Sequence, residues 1–289
     1  MIFINRQFVK IVVIGLLPCL NALFWLGFVS DGWLAMYSMH FICMFFIPTF
    51  CYGLQYLTSN LSDAIEYGKT FDILKCICVC LFTSFFGTSC LFLLLKISKI
   101  IPTFDFFNIE EIKVGLIREG IIKYPTNRIG FFVWFSSVYF SIVNPIIEEL
   151  FWRSFVYKEL IISLVRNEIS LQSSFNINDF GVHYSDSLIE RDRNSYLFES
   201  CQDIESGQTS YKSNTGFVSI ICSVLYSIYH FFVLIYFSSI QFSILSTVSL
   251  AIIGWILIHV SRKLHITYSI YIHIGMDISI VIFLLLSLK

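Results

Sequence analysis

Residues 144–156 read Asn-Pro-Ile-Ile-Glu-Glu-Leu-Phe-Trp-Arg-Ser-Phe-Val. Glu148, Glu149 and Arg153 stand inside a mostly apolar run from Ile129 to Val165. An ionisable group at the centre of a membrane helix costs about 2.5–3.5 kcal/mol on insertion scales, so such groups persist where they have a partner or a task. The run exceeds the roughly 20 residues of a simple span. Pro145 also removes a rung of its hydrogen-bond ladder. It therefore predicts either two helices or one long broken one.

The rest of the chain puts this run in a membrane. Of 289 residues, 56% are apolar and 13% charged, about half the charge of an ordinary soluble domain. The mean hydropathy is +0.77. A soluble enzyme, a disordered chain and a secreted disulfide scaffold are excluded on those grounds. The net charge of −1 argues against a nucleic-acid surface. Apolar stretches long enough to span run over Ile11–Val29, Trp33–Leu54, Leu74–Leu95, Gly216–Ser238, Phe242–Val260 and Ile266–Leu286. The first resembles a signal peptide, but its long apolar core lacks a small-residue cleavage pattern, so it reads as a retained span. The expected fold is all-α: a polytopic bundle of seven or eight transmembrane helices with the site buried between them. Arg6 and Lys10 favour a cytosolic N-terminus, and Arg262 with Lys263 a cytosolic loop before the last span.

Two segments depart from the apolar pattern. Asp105–Tyr124 intersperses Phe106, Phe107, Ile109, Ile112, Leu116, Ile117 and Ile121 with charge, the mark of an amphipathic helix in the interface or in a linker. Arg166–Thr215 is rich in Ser, Asn, Asp, Glu and Gln and reads as a disordered loop. The organisation expected is therefore residues 1–128 as N-terminal transmembrane helices with an amphipathic connector, and 129–289 as the functional core, interrupted by the loop 166–215. Eight of the cysteines lie in apolar stretches and only Cys201 in a polar one, which leaves no framework pair. Cys76, Cys78 and Cys80 mimic a metal motif, but neighbours two apart on a helix point to different faces.

Polar pairs recur at one-turn spacing within the spans. Glu149 and Arg153 stack on one face and can form an ion pair. Glu148 is left without an intrahelical cation, which makes it a general-base candidate. Tyr226 with His230, and His273 with Asp277, repeat the spacing on two further helices. One Glu, two His and one Asp suffice to activate a water and stabilise an oxyanion. His40 has no partner at helical spacing and reads as a packing histidine.

Glu148-Glu149-x-x-x-Arg153, Tyr226-x-x-x-His230 and His273-x-x-x-Asp277, in that order, resemble the three-motif signature of the CPBP intramembrane proteases. That family includes the type II CAAX prenyl endopeptidases (the Ras-converting enzymes) and the abortive-infection and lysostaphin-resistance-like proteins. Asn144-Pro145 before the first motif and Ser154 after Arg153 fit as well, and the resemblance covers Ile129 to the C-terminus. It implies a glutamate-dependent endopeptidase, with Glu148 and His230 activating water and His273 and the residue at Asp277 facing the oxyanion. Glu149 and Arg153 would hold their helix, supported by Tyr226. The implied substrate is a prenylated CAAX protein or peptide that loses its last three residues. The implied partner surface is the lipid bilayer, of the endoplasmic reticulum in a eukaryote or the plasma membrane in a bacterium. No cofactor is expected.

The sequence departs from the family pattern at three places. Tyr226 replaces the usual Phe, and its hydroxyl could join the network. Phe231 and Phe232 follow His230 where the CAAX enzymes are His-rich. Asp277 replaces Asn; ionised, it accepts hydrogen bonds and donates none, so either burial keeps it protonated or it orients His273, and the shared helix face favours the second. Other readings of the same residues stay open. They are a family protease with another membrane peptide substrate, a zinc enzyme with Glu148, His230 and His273 as ligands, and a non-enzymatic immunity or transport protein.

Overall fold

The computed structural model of the chain describes residues 5–53, 72–100, 107–122, 131–164 and 209–287. The described residues form helices and contain no strand. They are α1 (Arg6–Val29), α2 (Gly32–Tyr52), α3 (Asp72–Ile100), α4 (Ile109–Arg118), α5 (131–164), α6 (Thr209–Leu234), α7 (Ile240–Lys263) and α8 (Ile266–Ser287). Among the described residues, six helices are long and apolar enough to cross a membrane: α1, α2, α3, α6, α7 and α8. The doubtful run, α5, is one unbroken helical stretch rather than two helices. It absorbs Pro145 through wide π turns at Tyr139–Val143 and Leu150–Val156, where the Asn144 and Tyr157 N–H groups reach back five residues to the Tyr139 and Trp152 carbonyls. The polar loop expected over 166–215 falls largely outside the described residues; helix α6 begins within it, at Thr209.

Contacts at the two ends of the bundle order the helices. At one end, Asn5 Nδ2 donates to the Ser163 carbonyl (3.0 Å) and Lys10 lies 4.9 Å from the Tyr52 ring centre, which joins the start of α1 to the ends of α2 and α5. At the other end, the Gly32 N–H donates to the Glu119 carbonyl (2.9 Å) and Arg118 donates to the Tyr236 carbonyl. The amphipathic helix α4 is thus docked across the α1–α2 and α6–α7 turns. Arg6 and Lys10 at the start of α1 and Arg262 and Lys263 at the end of α7 therefore lie at one end of the bundle.

Helix α5 lies at the centre. Phe151, Trp152, Phe155, Val156 and Leu160 are buried against Ile11 and Ile14 of α1 and Val218, Leu225 and Tyr229 of α6. Helix α3 is more peripheral, with Leu81, Phe82, Phe85 and Phe86 exposed. Its inner face is a stripe of small residues. A Cβ on Gly87 would stand 2.6 Å from Ser279 Oγ; one on Gly275 of α8 would stand 2.5 Å from the Cys80 carbonyl and collide with Thr83. Backbones approach this closely where side chains are small, the usual device of helix packing in lipid. Cys76 belongs to that stripe and is buried, while Cys78 is exposed, as helical spacing requires.

Candidate active site

Helices α2, α5, α6 and α8 each place polar side chains around Glu148, which is 2% exposed. Its two oxygens have different surroundings. Oε1 accepts the Tyr229 hydroxyl hydrogen and lies 3.9 Å from His40 Nε2. Oε2 lies 4.0 Å from His230 Nε2 and 3.8 Å from His273 Nε2, and no group of the described chain donates to it. That oxygen is the one available to a reacting water, with an imidazole on either side.

Each imidazole is aimed by a partner behind it. His230 Nδ1 lies 2.8 Å from the Tyr226 carbonyl. A carbonyl only accepts, so Nδ1 carries the hydrogen and Nε2 of the neutral ring carries none; Nε2 lies 2.9 Å from the Tyr229 oxygen, whose hydrogen goes to Glu148 Oε1, and faces Glu148. His273 Nδ1 donates to Glu149 Oε1 at 2.8 Å, which again directs Nε2 to the site. Glu149 also accepts from Ser269 and pairs with Arg153 (Nη1–Oε1, 3.1 Å). Arg153 in turn lies 4.5 Å over the Tyr226 ring. His230, with a fifth of its side chain exposed, is the member of this cluster open to its surroundings.

The structure brings together every residue singled out in the sequence: Glu148, His230, His273 and Asp277, with Glu149, Arg153 and Tyr226 behind them. It reassigns several contacts. The carboxylate that orients His273 is Glu149, at 2.8 Å, whereas Asp277 Oδ1 stays 3.8 Å from His273 Nε2. Asp277 Oδ2 instead accepts from Asn144 Nδ2 at 3.0 Å. The tyrosine hydroxyl that joins the network belongs to Tyr229, while Tyr226 contributes its ring and carbonyl. His40 is not an isolated packing residue. Its Nδ1 meets the Tyr139 hydroxyl at 3.1 Å and its Nε2 faces Glu148. Its partners lie on α5, beyond the reach of a search at helical spacing. Among the described residues, no group of three or more His, Cys, Asp or Glu has a metal-holding arrangement.

A family model described as Rce1-like, type II CAAX prenyl endopeptidase, matches residues 130–279. The match takes in Glu148, His230, His273 and Asp277 and leaves out His40. No curated protein and no solved structure matches the chain.

Proposed function

The chain belongs to the Rce1-like type II CAAX prenyl endopeptidase family, and from that membership we propose that it is a glutamate-dependent intramembrane endopeptidase releasing the C-terminal tripeptide of prenylated CAAX proteins. The observation that carries this reading is Glu148. It is a buried carboxylate with one oxygen tethered by Tyr229 and the other facing two imidazoles whose far nitrogens are already committed.

The chemistry follows from that arrangement. A water bound at Glu148 Oε2 loses a proton to the carboxylate, with His230 Nε2 as second acceptor, while its oxygen bonds to the scissile carbonyl carbon. The carbonyl π pair moves onto oxygen. When the intermediate collapses, the C–N bond breaks, its electron pair stays on nitrogen, and the proton held at Glu148 passes to that nitrogen. In its cationic form His273 has Nδ1–H on Glu149 and donates through Nε2 toward the developing charge. A site between membrane helices suits a substrate whose cysteine carries a lipid, and the exposed edge of His230 is its way in. A eukaryotic enzyme of this kind would act in the endoplasmic reticulum membrane.

The test is cleavage of a farnesylated CAAX peptide by membranes bearing the wild type or Glu148→Ala, with and without a chelator. Tripeptide release by the wild type alone, unchanged by the chelator, is the expected result. Chelator-sensitive release would point to zinc held by Glu148, His230 and His273. A folded wild type that releases nothing removes the CAAX substrate.

A further inference from the structure

Asn144 lies one turn before Glu148 on α5, and His273 one turn before Asp277 on α8, so each pair shares a helix face. The two faces meet. Asn144 Nδ2 reaches Asp277 Oδ2 at 3.0 Å, and Glu148 Oε2 stands 3.8 Å from His273 Nε2. All four residues are buried. In this contact the amide nitrogen faces the carboxylate, which accepts from it. An amide nitrogen carries two hydrogens. One is given to Asp277; among the described residues no acceptor is assigned to the other, and the amide oxygen has no partner either.

We propose that Asn144 is a catalytic residue whose second amide N–H stabilises the oxyanion, and that Asp277 acts by holding that amide in place. The inference rests on the proteolytic reading of Glu148. Side chains one turn apart on a helix are about 5–6 Å from each other. That separation admits a carbonyl carbon about 3 Å from a water on Glu148, with its oxygen turned toward Asn144. As the water oxygen bonds to carbon, the π pair moves onto the carbonyl oxygen and the Asn144 hydrogen bond shortens against the new charge. No proton leaves the amide. Asp277 cannot do this itself while ionised, yet its charge polarises and orients the group that can.

The experiment compares the wild type, Asn144→Ala and Asn144→Ala/Asp277→Asn on a farnesylated CAAX peptide. It also measures the affinity of each for a peptidyl aldehyde, whose hydrate mimics the intermediate, and for the farnesylated product. Asn144→Ala should lower kcat by about 10²–10³-fold, the usual cost of one oxyanion donor, with KM little changed. Its aldehyde affinity should fall in parallel while product affinity stays. The double variant restores an amide within the same contact, from α8, and leaves no orphaned carboxylate; it should recover at least about tenfold of the lost rate. Asn144→Ala cleaving like the wild type, or weakening aldehyde and product equally, overturns the assignment. Where the single variant fails to fold, a folded but inert double variant does the same. A wild type inert on the peptide removes the proteolytic reading and this inference with it.

Discussion

At the scale of single residues, the site works by giving each polar atom one assignment. Tyr229 tethers Glu148 Oε1, so Oε2 is presented; the Tyr226 carbonyl and Glu149 take the far nitrogens of the two histidines. A hydrogen bond to a charged group contributes about 1.5–3 kcal/mol. Tyr229→Phe keeps the ring stacked on Trp152, 5.8 Å away, and loses the tether on Glu148 together with the hydroxyl's 2.9 Å contact with His230 Nε2. Its kcat should fall roughly tenfold to a hundredfold, with thermal unfolding in detergent near that of the wild type. A large loss of folded protein would make Tyr229 a packing residue instead. The buried pair Glu149–Arg153 has two duties, since the same Glu149 oxygen holds both Arg153 and His273. The clasp and the aiming of the histidine cannot be separated by mutation of that carboxylate.

At the scale of elements, α8 is placed by α3. The catalytic face of α8 carries His273 and Asp277, and its back carries Gly275 and Ser279 against Thr83, Cys80 and Gly87. Gly275→Val drives two methyl groups into that contact. Overpacking of this kind costs about 1–3 kcal/mol, which should appear as lower thermal stability together with reduced cleavage, since His273 moves with its helix. Thr83→Gly in the same chain should return only part of the loss, because the Cys80 carbonyl stays within 2.5 Å of the added Cβ. Full restoration would show that the backbone gives way there. The π turn of α2 over Met39–Phe46 belongs to the same scale, for it carries His40. Widened turns of this kind are frequent at functional sites.

At the scale of the whole molecule, a crossing by α5 as well as by the six long apolar helices makes a prediction about sides. Arg262 ends α7 at the end that also holds Arg6 and Lys10, whereas Glu110 on α4 sits with the turns at the opposite end. Impermeant thiol reagents should label Arg262→Cys and Glu110→Cys from opposite faces of the membrane, in a chain whose exposed Cys51 and Cys78, and Cys201 of the polar segment, are replaced. Labelling of both from one face would remove α5 as a crossing helix.

The sequence by itself determined the class of fold and most of the site. Long apolar runs leave few alternatives to helices in lipid, because every backbone polar group there must be satisfied within its own segment. One-turn spacing exposed Glu149 with Arg153 and His273 with Asp277, since helical neighbours follow directly from periodicity. Only the tertiary structure decided what crosses between helices: His40 and Tyr229 on Glu148, Glu149 on His273, and Asn144 on Asp277. Those contacts join residues up to 133 positions apart. They depend on the rotation and depth at which helices pack, which small residues such as Gly275 and Gly87 set through contact, and which no periodicity within one helix encodes.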